Sequence, residues 1–306
     1  MIGFYDFPKM GIWPSPVQAN TQNNGYYVTF NLNTDQRLVV INRDDVLNRV
    51  PSPRQQNLAI PGTVGGIPSA VLPADVDGWA FPPVGEPGIL MGAAPGTEQG
   101  GENRDFLLLW RVAIDWTTTP VLLTITSRPD IPVDNFTVVP RRTPPNGPPV
   151  PQPGTPQMLD GRGSMLMYRL PYRNFGTHDA IVATHAVLDT AVTPSVGRVR
   201  WYQIQGFTTG GTVEVDFQGT FGTGTTWRWC PTIAMDSVGS IAVGYSMSSA
   251  TVFPSMAVTG RLASDPDGVM LNSDQIVFSG SGVEETDRWG DYFSMAIDPV
   301  DDRTFW

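Results

Sequence analysis

Polar side chains stand just before several short strands of small residues, and they are the residues of this sequence that could do chemistry together. The positions are Asp6, Lys9, Glu86, Asp160, Arg162, Arg228, Arg288, Asp291 and Tyr292. If those strands start at one face of the fold, the side chains that precede them converge on one site. A site that mixes arginines, carboxylates and a tyrosine could hold an anionic sugar and supply an acid and a nucleophile.

Residue chemistry assigns roles within this predicted site. Asp291, Tyr292 and Arg288 are the candidate catalytic residues, because they precede a predicted first strand and together offer a carboxylate, a phenol and a guanidinium. The candidate substrate-binding residues are Lys9, Arg162, Arg228 and Trp229. The alternative interpretation is that Arg288 and Asp291 pair with each other or tie neighbouring parts of the fold together.

Metal and nucleophile chemistry find less support in the sequence. Asp265 and Asp267 could contribute to a calcium site, but calcium takes six to eight oxygen ligands and an Asp-Pro-Asp-Gly segment is typical of a turn. Two histidines, His178 and His185, are too few for a three-histidine metal site, and no Gly-x-Ser-x-Gly motif occurs. Cys230, as a lone cysteine, cannot form an internal disulfide. We predict no metal site and no cofactor, with calcium as the one ion left open.

The elements that must position these residues are predicted to be strands. Gly25–Leu32 and Arg37–Ile41 are rich in β-branched and aromatic residues and indicate a hairpin. Phe106–Trp116 and Val121–Thr126 indicate a second pair. Four consecutive strands follow at Ser164–Tyr168, Ala180–Thr184, Val199–Ile204 and Val213–Phe217. Four more are predicted at Thr232–Asp236, Ser240–Ser246, Pro254–Arg261 and Gln275–Phe278.

A repeat links these meanders. The segments Thr-Ile-Ala-Met-Asp and Ser-Met-Ala-Ile-Asp begin at residues 232 and 294, which is the spacing of one four-stranded blade with long loops. Met10–Pro14 and Gly88–Gly92 have similar small-residue character, and Phe293–Pro299 would open a further unit, so we count about five first strands. The pattern predicts an all-β fold, a β-propeller of four-stranded blades. A β-sandwich with similar meanders is the alternative.

Composition supports short strands and argues against some partners. Gly (32) and Pro (29) are abundant while only 16% of residues are charged, which is typical of strands punctuated by turns. The net charge of -10 would repel a phosphate backbone, so we expect no nucleic-acid partner. No apolar run is long enough to span a membrane, and the first residues of this chain do not have the pattern of a signal peptide.

We expect residues 1–306 to form a single propeller domain. The proline-rich run Pro140–Pro156 fits neither a helix nor a central strand. It is predicted to be a surface excursion within that domain.

Several segments resemble a known group of proteins. They are Asp6–Pro14, Leu166–Gly176, Phe253–Met256, Thr259–Ala263, Asp287–Tyr292 and Met295–Asp302. These stretches resemble bacterial secreted proteins with sialidase-like β-propellers of the BNR-repeat type, whose activity is mostly unassigned. The resemblance is close over about residues 159–306 and over the first dozen residues. It implies a partial propeller with open sheet edges, at which identical chains could associate.

The residues and the resemblance together predict an extracellular carbohydrate-active propeller that acts as a glycoside-cleaving hydrolase on a small-molecule or glycan substrate. The resemblance also implies a secreted or periplasmic location for the full-length protein. Two alternatives remain open. One is a non-catalytic propeller that binds a glycan or a protein, and the other is a calcium-dependent esterase, lactonase or phosphotriesterase.

Overall fold

The computed structural model describes residues 5–15, 22–32, 35–62, 70–96, 104–141, 149–208, 211–271 and 273–306. The chain divides into two compact units. Unit 1 comprises Met1–Asp134, Arg169–Ile181 and Ile204–Val215, and unit 2 comprises Asn135–Tyr168, Val182–Gln203 and Asp216–Trp306. Each unit has its own set of buried apolar side chains.

The first sheet lies in unit 1 and is an antiparallel meander of four strands. They are β1 (Tyr5–Trp13), β2 (Gly25–Leu32), β3 (Asp35–Asn42) and β4 (Gln55–Ala59), paired in that order. Buried residues alternate with more exposed ones along β3, as expected when one face of a strand enters a core. The short helix α1 (Arg43–Leu47) connects β3 to β4. The structure confirms the predicted hairpin of β2 and β3.

The second sheet also lies in unit 1. Its strands are β5 (Leu72–Pro73), β7 (Gly88–Ala94), β8 (Asp105–Asp115), β9 (Leu122–Ser127) and β10 (Ile131–Val133), while β6 (Asp75–Asp77) joins the third sheet. The path is β5-β7-β8-β10, and β9 also pairs with β8. Every residue of β7 is buried, in keeping with its small and apolar side chains. The predicted strands at residues 88–92, 106–116 and 121–126 are therefore confirmed.

The third sheet has five strands and contributes residues to both units. Its strands are β11 (Pro171–Asn174), β12 (Asp179–Asp189), β13 (Val196–Gln205) and β14 (Glu214–Phe221) together with β6, in the order β14-β13-β12-β11-β6. The pairing of β6 with β11 is parallel and that of β11 with β12 is antiparallel. The predicted strands at 180–184, 199–204 and 213–217 correspond to β12, β13 and β14.

The predicted first strand of that sheet, Ser164–Tyr168, is wrong. Met165, Leu166 and Met167 are buried but do not form a strand, and β11 begins at Pro171 instead. A short apolar run can be buried as a loop as well as a strand, so hydrophobicity alone does not fix its backbone.

The fourth sheet lies in unit 2 and is an antiparallel meander. Its strands are β15 (Trp227–Met235), β16 (Ile241–Ser248), β17 (Ser255–Arg261) and β18 (Gln275–Phe278), in that order. All four were predicted. The further first strand predicted at Phe293–Pro299 is wrong, because this segment forms only a narrow hairpin with a single bridge between Ile297 and Phe305. Its turn at Asp298-Pro299 ends the extended run before a strand can develop.

The described chain is thus an all-β protein of the propeller class, with four sheets and α1 as its one α-helix in the ranges above. Five first strands, and hence five blades, were predicted, whereas the described residues form four sheets. Residues 142–148 of the proline-rich run lie outside the described residues, and the single-domain organisation stays a prediction. Within the described ranges, no helix has the length and apolar character that crossing a membrane requires.

Candidate functional site

Two of the predicted site residues, Arg162 and Arg288, contact the carboxylate of a third, Asp291, in unit 2. The guanidinium of Arg288 donates a hydrogen bond to Asp291 Oδ2, and Arg162 Nε lies 3.1 Å from Asp291 Oδ1. The second contact lacks hydrogen-bond alignment, so it is an ion pair. Tyr292 follows Asp291 directly, and we call Arg162, Arg288, Asp291 and Tyr292 the Asp291 cluster.

Two loops carry the Asp291 cluster, and a backbone hydrogen bond joins them. Asp160 N donates to the carbonyl of Asp287 at 2.8 Å, which brings the loop of Arg162 beside the loop of Asp291. The Asp160 carboxylate accepts from the backbone N–H of Arg162 at 3.0 Å and lies 3.3 Å from its Nη1. Arg162 has a φ of 64°, a left-handed conformation that this side-chain cap stabilises.

Gly290 sets the turn that precedes Asp291. Its φ is 78°, which is a region that glycine adopts without steric cost. A Cβ at this position would lie 2.9 Å from the ring of Phe293 and 3.0 Å from Ser246 Oγ. The close packing requires glycine here and fixes where the Asp291 side chain begins.

Burial differs sharply within the cluster. The side chain of Asp291 is 15% exposed and that of Arg162 is 12% exposed, whereas Arg288 is half exposed and Tyr292 is 64% exposed. The cluster therefore has an inner ion pair and an outer arginine and tyrosine that face solvent. The pairing of Arg288 with Asp291, which the sequence left open as an alternative, is present. The catalytic roles of Asp291, Tyr292 and Arg288 stay predictions.

Arg228, a predicted substrate-binding residue, belongs to a different network of unit 2. It is buried in β15, and its Nε and Nη2 donate to the two oxygens of Asp274 at 2.8 and 2.5 Å. Tyr245 Oη also donates to Asp274, at 2.5 Å. Burial lowers the pKa of Arg228, but the hydrogen bond and charge of Asp274 outweigh burial and raise it overall. Asp274 thus balances the buried charge of Arg228.

The remaining predicted binding residues are both buried. Trp229 has no exposed surface in β15, so its ring has no free face in this conformation. Lys9 lies in β1 of unit 1, with its Nζ 3.6 Å from the centroid of the Phe7 ring. The binding roles of Lys9, Arg228 and Trp229 stay predictions, as does that of Arg162.

Unit 1 contains a cavity of about 670 Å³ that the sequence did not predict. Its lining comes from the loop before β7, from β8, from the end of β9 and from the loop after β13. The lining residues are Val84, Gly85, Glu86, Pro87, Arg111, Ala113, Thr126, Arg128, Phe207, Thr208, Gly211 and Val213. Its volume is in the range usual for small-molecule sites, about 300–1,000 Å³.

A buried ion pair lies against this cavity. Arg111 Nη1 lies 2.6 Å from Glu86 Oε1, and its Nη2 donates to the carbonyl of Phe207. The guanidinium carbon is 5.7 Å from the centroid of the Phe207 ring. Burial lowers the pKa of Arg111, and the negative charges of Glu86 and Asp179 offset this only in part.

Glu86 is held by its backbone as well as by its side chain. Its carbonyl accepts from Trp13 Nε1 at 3.0 Å and from Asn23 Nδ2 at 3.1 Å. Hydrogen bonds from an indole and an amide fix the backbone from which the Glu86 carboxylate extends. The ion pair is therefore part of a rigid wall.

Asp179 holds Phe207, whose carbonyl is the second hydrogen-bond partner of Arg111. Its Oδ1 accepts from the backbone N–H of Phe207 at 2.9 Å, and Tyr172 Oη lies 3.4 Å from its Oδ2. Burial, followed by the charge of Asp179, raises the pKa of Tyr172, so that this phenol stays neutral. The hydrogen bond from the Phe207 amide to Asp179 thus also positions the Phe207 carbonyl that Arg111 contacts.

Arg128 is the second arginine of the cavity and it is exposed. In the part of the chain that the structure describes, no carboxylate lies within ion-pair distance of its guanidinium. Its positive charge acts on Arg111 and helps to lower the pKa of that residue. The cavity therefore combines a compensated inner ion pair with an uncompensated outer cation.

The sequence offered one usable signal for this cavity. Glu86 was among the residues expected to precede a first strand, but Arg111 and Arg128 were not singled out. Arg111 is the one charged residue within Phe106–Ile114, and a charge in the apolar interior of a strand needs a buried partner. That pattern could have indicated the ion pair, whereas nothing in the sequence indicates that Arg128 faces the same cavity.

No group of three or more histidine, cysteine, aspartate or glutamate side chains within the described ranges is placed to hold a metal ion. Comparisons with protein-family models, with curated proteins and with solved structures found no match for this chain.

Proposed function

We propose that the protein is a carbohydrate-active β-propeller that works as a glycoside hydrolase outside the cytoplasm, with its sugar site at the Asp291 cluster. The observation that carries the proposal is that Asp291 contacts both Arg162 and Arg288, which are distant in the sequence and were predicted to share a site. Their convergence fits a site built from the loops of a propeller, where function commonly lies.

Each residue of the cluster has a role in this proposal. Arg288 faces solvent and has guanidinium donors for the carboxylate or hydroxyl groups of a sugar. The exposed ring of Tyr292 stacks on the sugar ring, and its hydroxyl donates a hydrogen bond. Asp291, held by the mostly buried Arg162, attacks the anomeric carbon as the glycosidic bond breaks, and the leaving oxygen takes a proton from the Tyr292 hydroxyl. Water that returns this proton to Tyr292 then releases the sugar from Asp291.

The sequence resemblance supports the same proposal. Asp287–Tyr292 and Leu166–Gly176 are among the stretches that resemble secreted sialidase-like propellers. A secreted or periplasmic location and a glycan substrate come to this chain through that resemblance. They belong to the proposal together with the hydrolytic activity.

A panel of chromogenic glycosides and esters tests hydrolysis. We expect turnover of at least one acidic glycoside, and a loss of at least about tenfold in kcat/KM for both Arg288→Ala and Asp291→Ala. Arg303→Ala is the matched control, because Arg303 is an exposed arginine of the same unit. Activity that survives both cluster substitutions would remove the site assignment. Activity lost only after chelator treatment would favour the calcium-dependent alternative.

A non-catalytic glycan-binding role is the second candidate. It is favoured by the pairing of Arg288 with Asp291, because this ion pair already engages the carboxylate through its Oδ2 without any substrate. A binding protein would give a saturable calorimetric titration with acidic oligosaccharides, weakened by Tyr292→Ala, and would turn over no member of the panel.

A further inference from the structure

The cavity of unit 1 has the features of a ligand site that is separate from the Asp291 cluster. Its residues belong to unit 1, whereas the cluster belongs to unit 2. A volume of about 670 Å³ accommodates an organic molecule and not merely an ion. The walls also have mixed chemistry, which constrains the kind of molecule that fits.

Part of the cavity lining is apolar. Val84, Pro87, Ala113 and Val213 line it with aliphatic groups, and Phe207 contributes an aromatic residue. Burial of an apolar body against such groups is favourable because it removes apolar surface from water. The ligand therefore has an apolar portion.

The charged part of the lining consists of Glu86, Arg111 and Arg128. Glu86 and Arg111 neutralise each other at 2.6 Å, so this pair offers no net charge to a ligand. Arg128 has no carboxylate partner in the described ranges and lines the same cavity. A guanidinium presents paired donors that match a carboxylate or a phosphate bidentately. Thr126 and Thr208 add hydroxyl groups for a second oxygen.

We propose that this cavity binds a small organic anion, with a carboxylate or phosphate group at Arg128 and an apolar body against Val84, Pro87 and Val213. The Glu86–Arg111 pair is a fixed wall of the site, positioned by Trp13, Asn23 and the Phe207 carbonyl. Arg128 supplies the discrimination between an anion and a neutral molecule of the same shape.

Calorimetric titration of the full chain with benzoate, phenyl phosphate and benzamide tests the proposal. Benzamide has the shape of benzoate without its charge, so it isolates the contribution of Arg128. We expect benzoate or phenyl phosphate to bind at least about tenfold more tightly than benzamide, which corresponds to about 1.4 kcal/mol. The stronger of the two anions identifies the anionic group.

Arg128→Gln is the decisive variant, because an exposed side chain can be replaced with little risk to folding. It should abolish the preference for the anion while leaving benzamide binding unchanged, and the control Arg303→Gln should behave as the unaltered protein. Equal binding of benzoate and benzamide, an unchanged preference in Arg128→Gln, or no binding by any of the three probes would overturn the proposal. None of these outcomes depends on activity at the Asp291 cluster.

Discussion

The backbone N–H of Asp160 donates to the carbonyl of Asp287, and this one 2.8 Å hydrogen bond joins the two loops of the Asp291 cluster. Because the bond is between main-chain atoms, it holds the two loops together independently of the side chains of the cluster. The inner ion pair of Arg162 with Asp291 is then formed between side chains that are already neighbours. Its energetic consequences can be measured apart from any substrate.

Asp291→Ala should destabilise the protein more than Arg288→Ala. Removal of Asp291 takes away a partner of the mostly buried Arg162, at a cost of about 1–3 kcal/mol. Arg288 is half exposed, so its ion pair contributes about 0–1 kcal/mol. Urea unfolding of both variants measures the difference. Equal losses would contradict the division into an inner and an outer part.

Two substitutions at Tyr292 distinguish the contribution of ring stacking from that of hydrogen bonding in the proposed sugar site. Tyr292→Phe keeps the exposed ring and removes the hydroxyl, while Tyr292→Ala removes both. If stacking dominates, Tyr292→Phe should bind acidic oligosaccharides within about threefold of the unaltered protein and Tyr292→Ala about tenfold more weakly. Calorimetric titration measures both. An equal loss in the two variants would assign the effect to the hydroxyl group.

Because Glu86 and Arg111 form a mostly buried ion pair, we expect the effects of replacing them on the free energy of unfolding to be strongly coupled. Arg111→Met leaves the Glu86 charge in a buried position without its partner and should cost about 3–5 kcal/mol of unfolding free energy. The double variant Glu86→Gln/Arg111→Met should recover part of that loss, because no buried charge is left. Guanidinium unfolding of the two single variants and the double variant gives the coupling. Additive effects would contradict a direct ion pair.

Asp274 should be essential for the stability of unit 2. Asp274→Asn removes the negative charge that Arg228 and Tyr245 share, and Arg228 remains buried with a positive charge. We expect a loss of about 3–5 kcal/mol. Asp267→Asn, at a largely exposed carboxylate of the same unit, is the control and should cost less than about 0.5 kcal/mol. A similar melting temperature for both variants would contradict the role of Asp274.

The fold was predictable from the sequence where strands are long and their residues are β-branched. β2, β8, β16 and β17 were located within a few residues, because alternation and bulk decide a strand that has ladder partners on both sides. Ser164–Tyr168 was misassigned, since its burial comes from the packing of a loop and not from sheet pairing. Burial and strand conformation are separate properties, and a short apolar run reports only the first.

The candidate site was predictable to a smaller extent. Arg162 and Asp291 were expected to share a site because each precedes a predicted first strand, but neither Ser164–Tyr168 nor Phe293–Pro299 forms a strand. Their proximity depends instead on a backbone hydrogen bond between the two loops that no sequence pattern encodes. Arg128 could not be found in this way. Its significance comes from the cavity that it faces, and a cavity is a property of the folded chain.

His185 should make the stability of unit 2 depend on pH. Burial, helped by the positive charge of Arg200, lowers its pKa from 6.5 to about 3. The folded protein therefore holds His185 neutral while the unfolded chain takes up a proton below about pH 6.5. Its contribution to stability is fully present above that pH and is lost as the pH falls toward 3.

The measurement is the unfolding free energy from urea titrations at about pH 7 and about pH 4. The unaltered protein should lose several kcal/mol more over this range than His185→Gln, which has no imidazole to protonate. His178→Gln is the matched control, because His178 is exposed, and it should retain the full pH dependence. The Tyr202 hydroxyl lies 2.8 Å from His185 Nε2, and a glutamine amide at this position can take over that hydrogen bond. Since the two variants differ only in which histidine is replaced, the difference between their pH dependences isolates His185. An equal slope in His185→Gln and His178→Gln would show that the buried imidazole is already charged or is exposed to solvent.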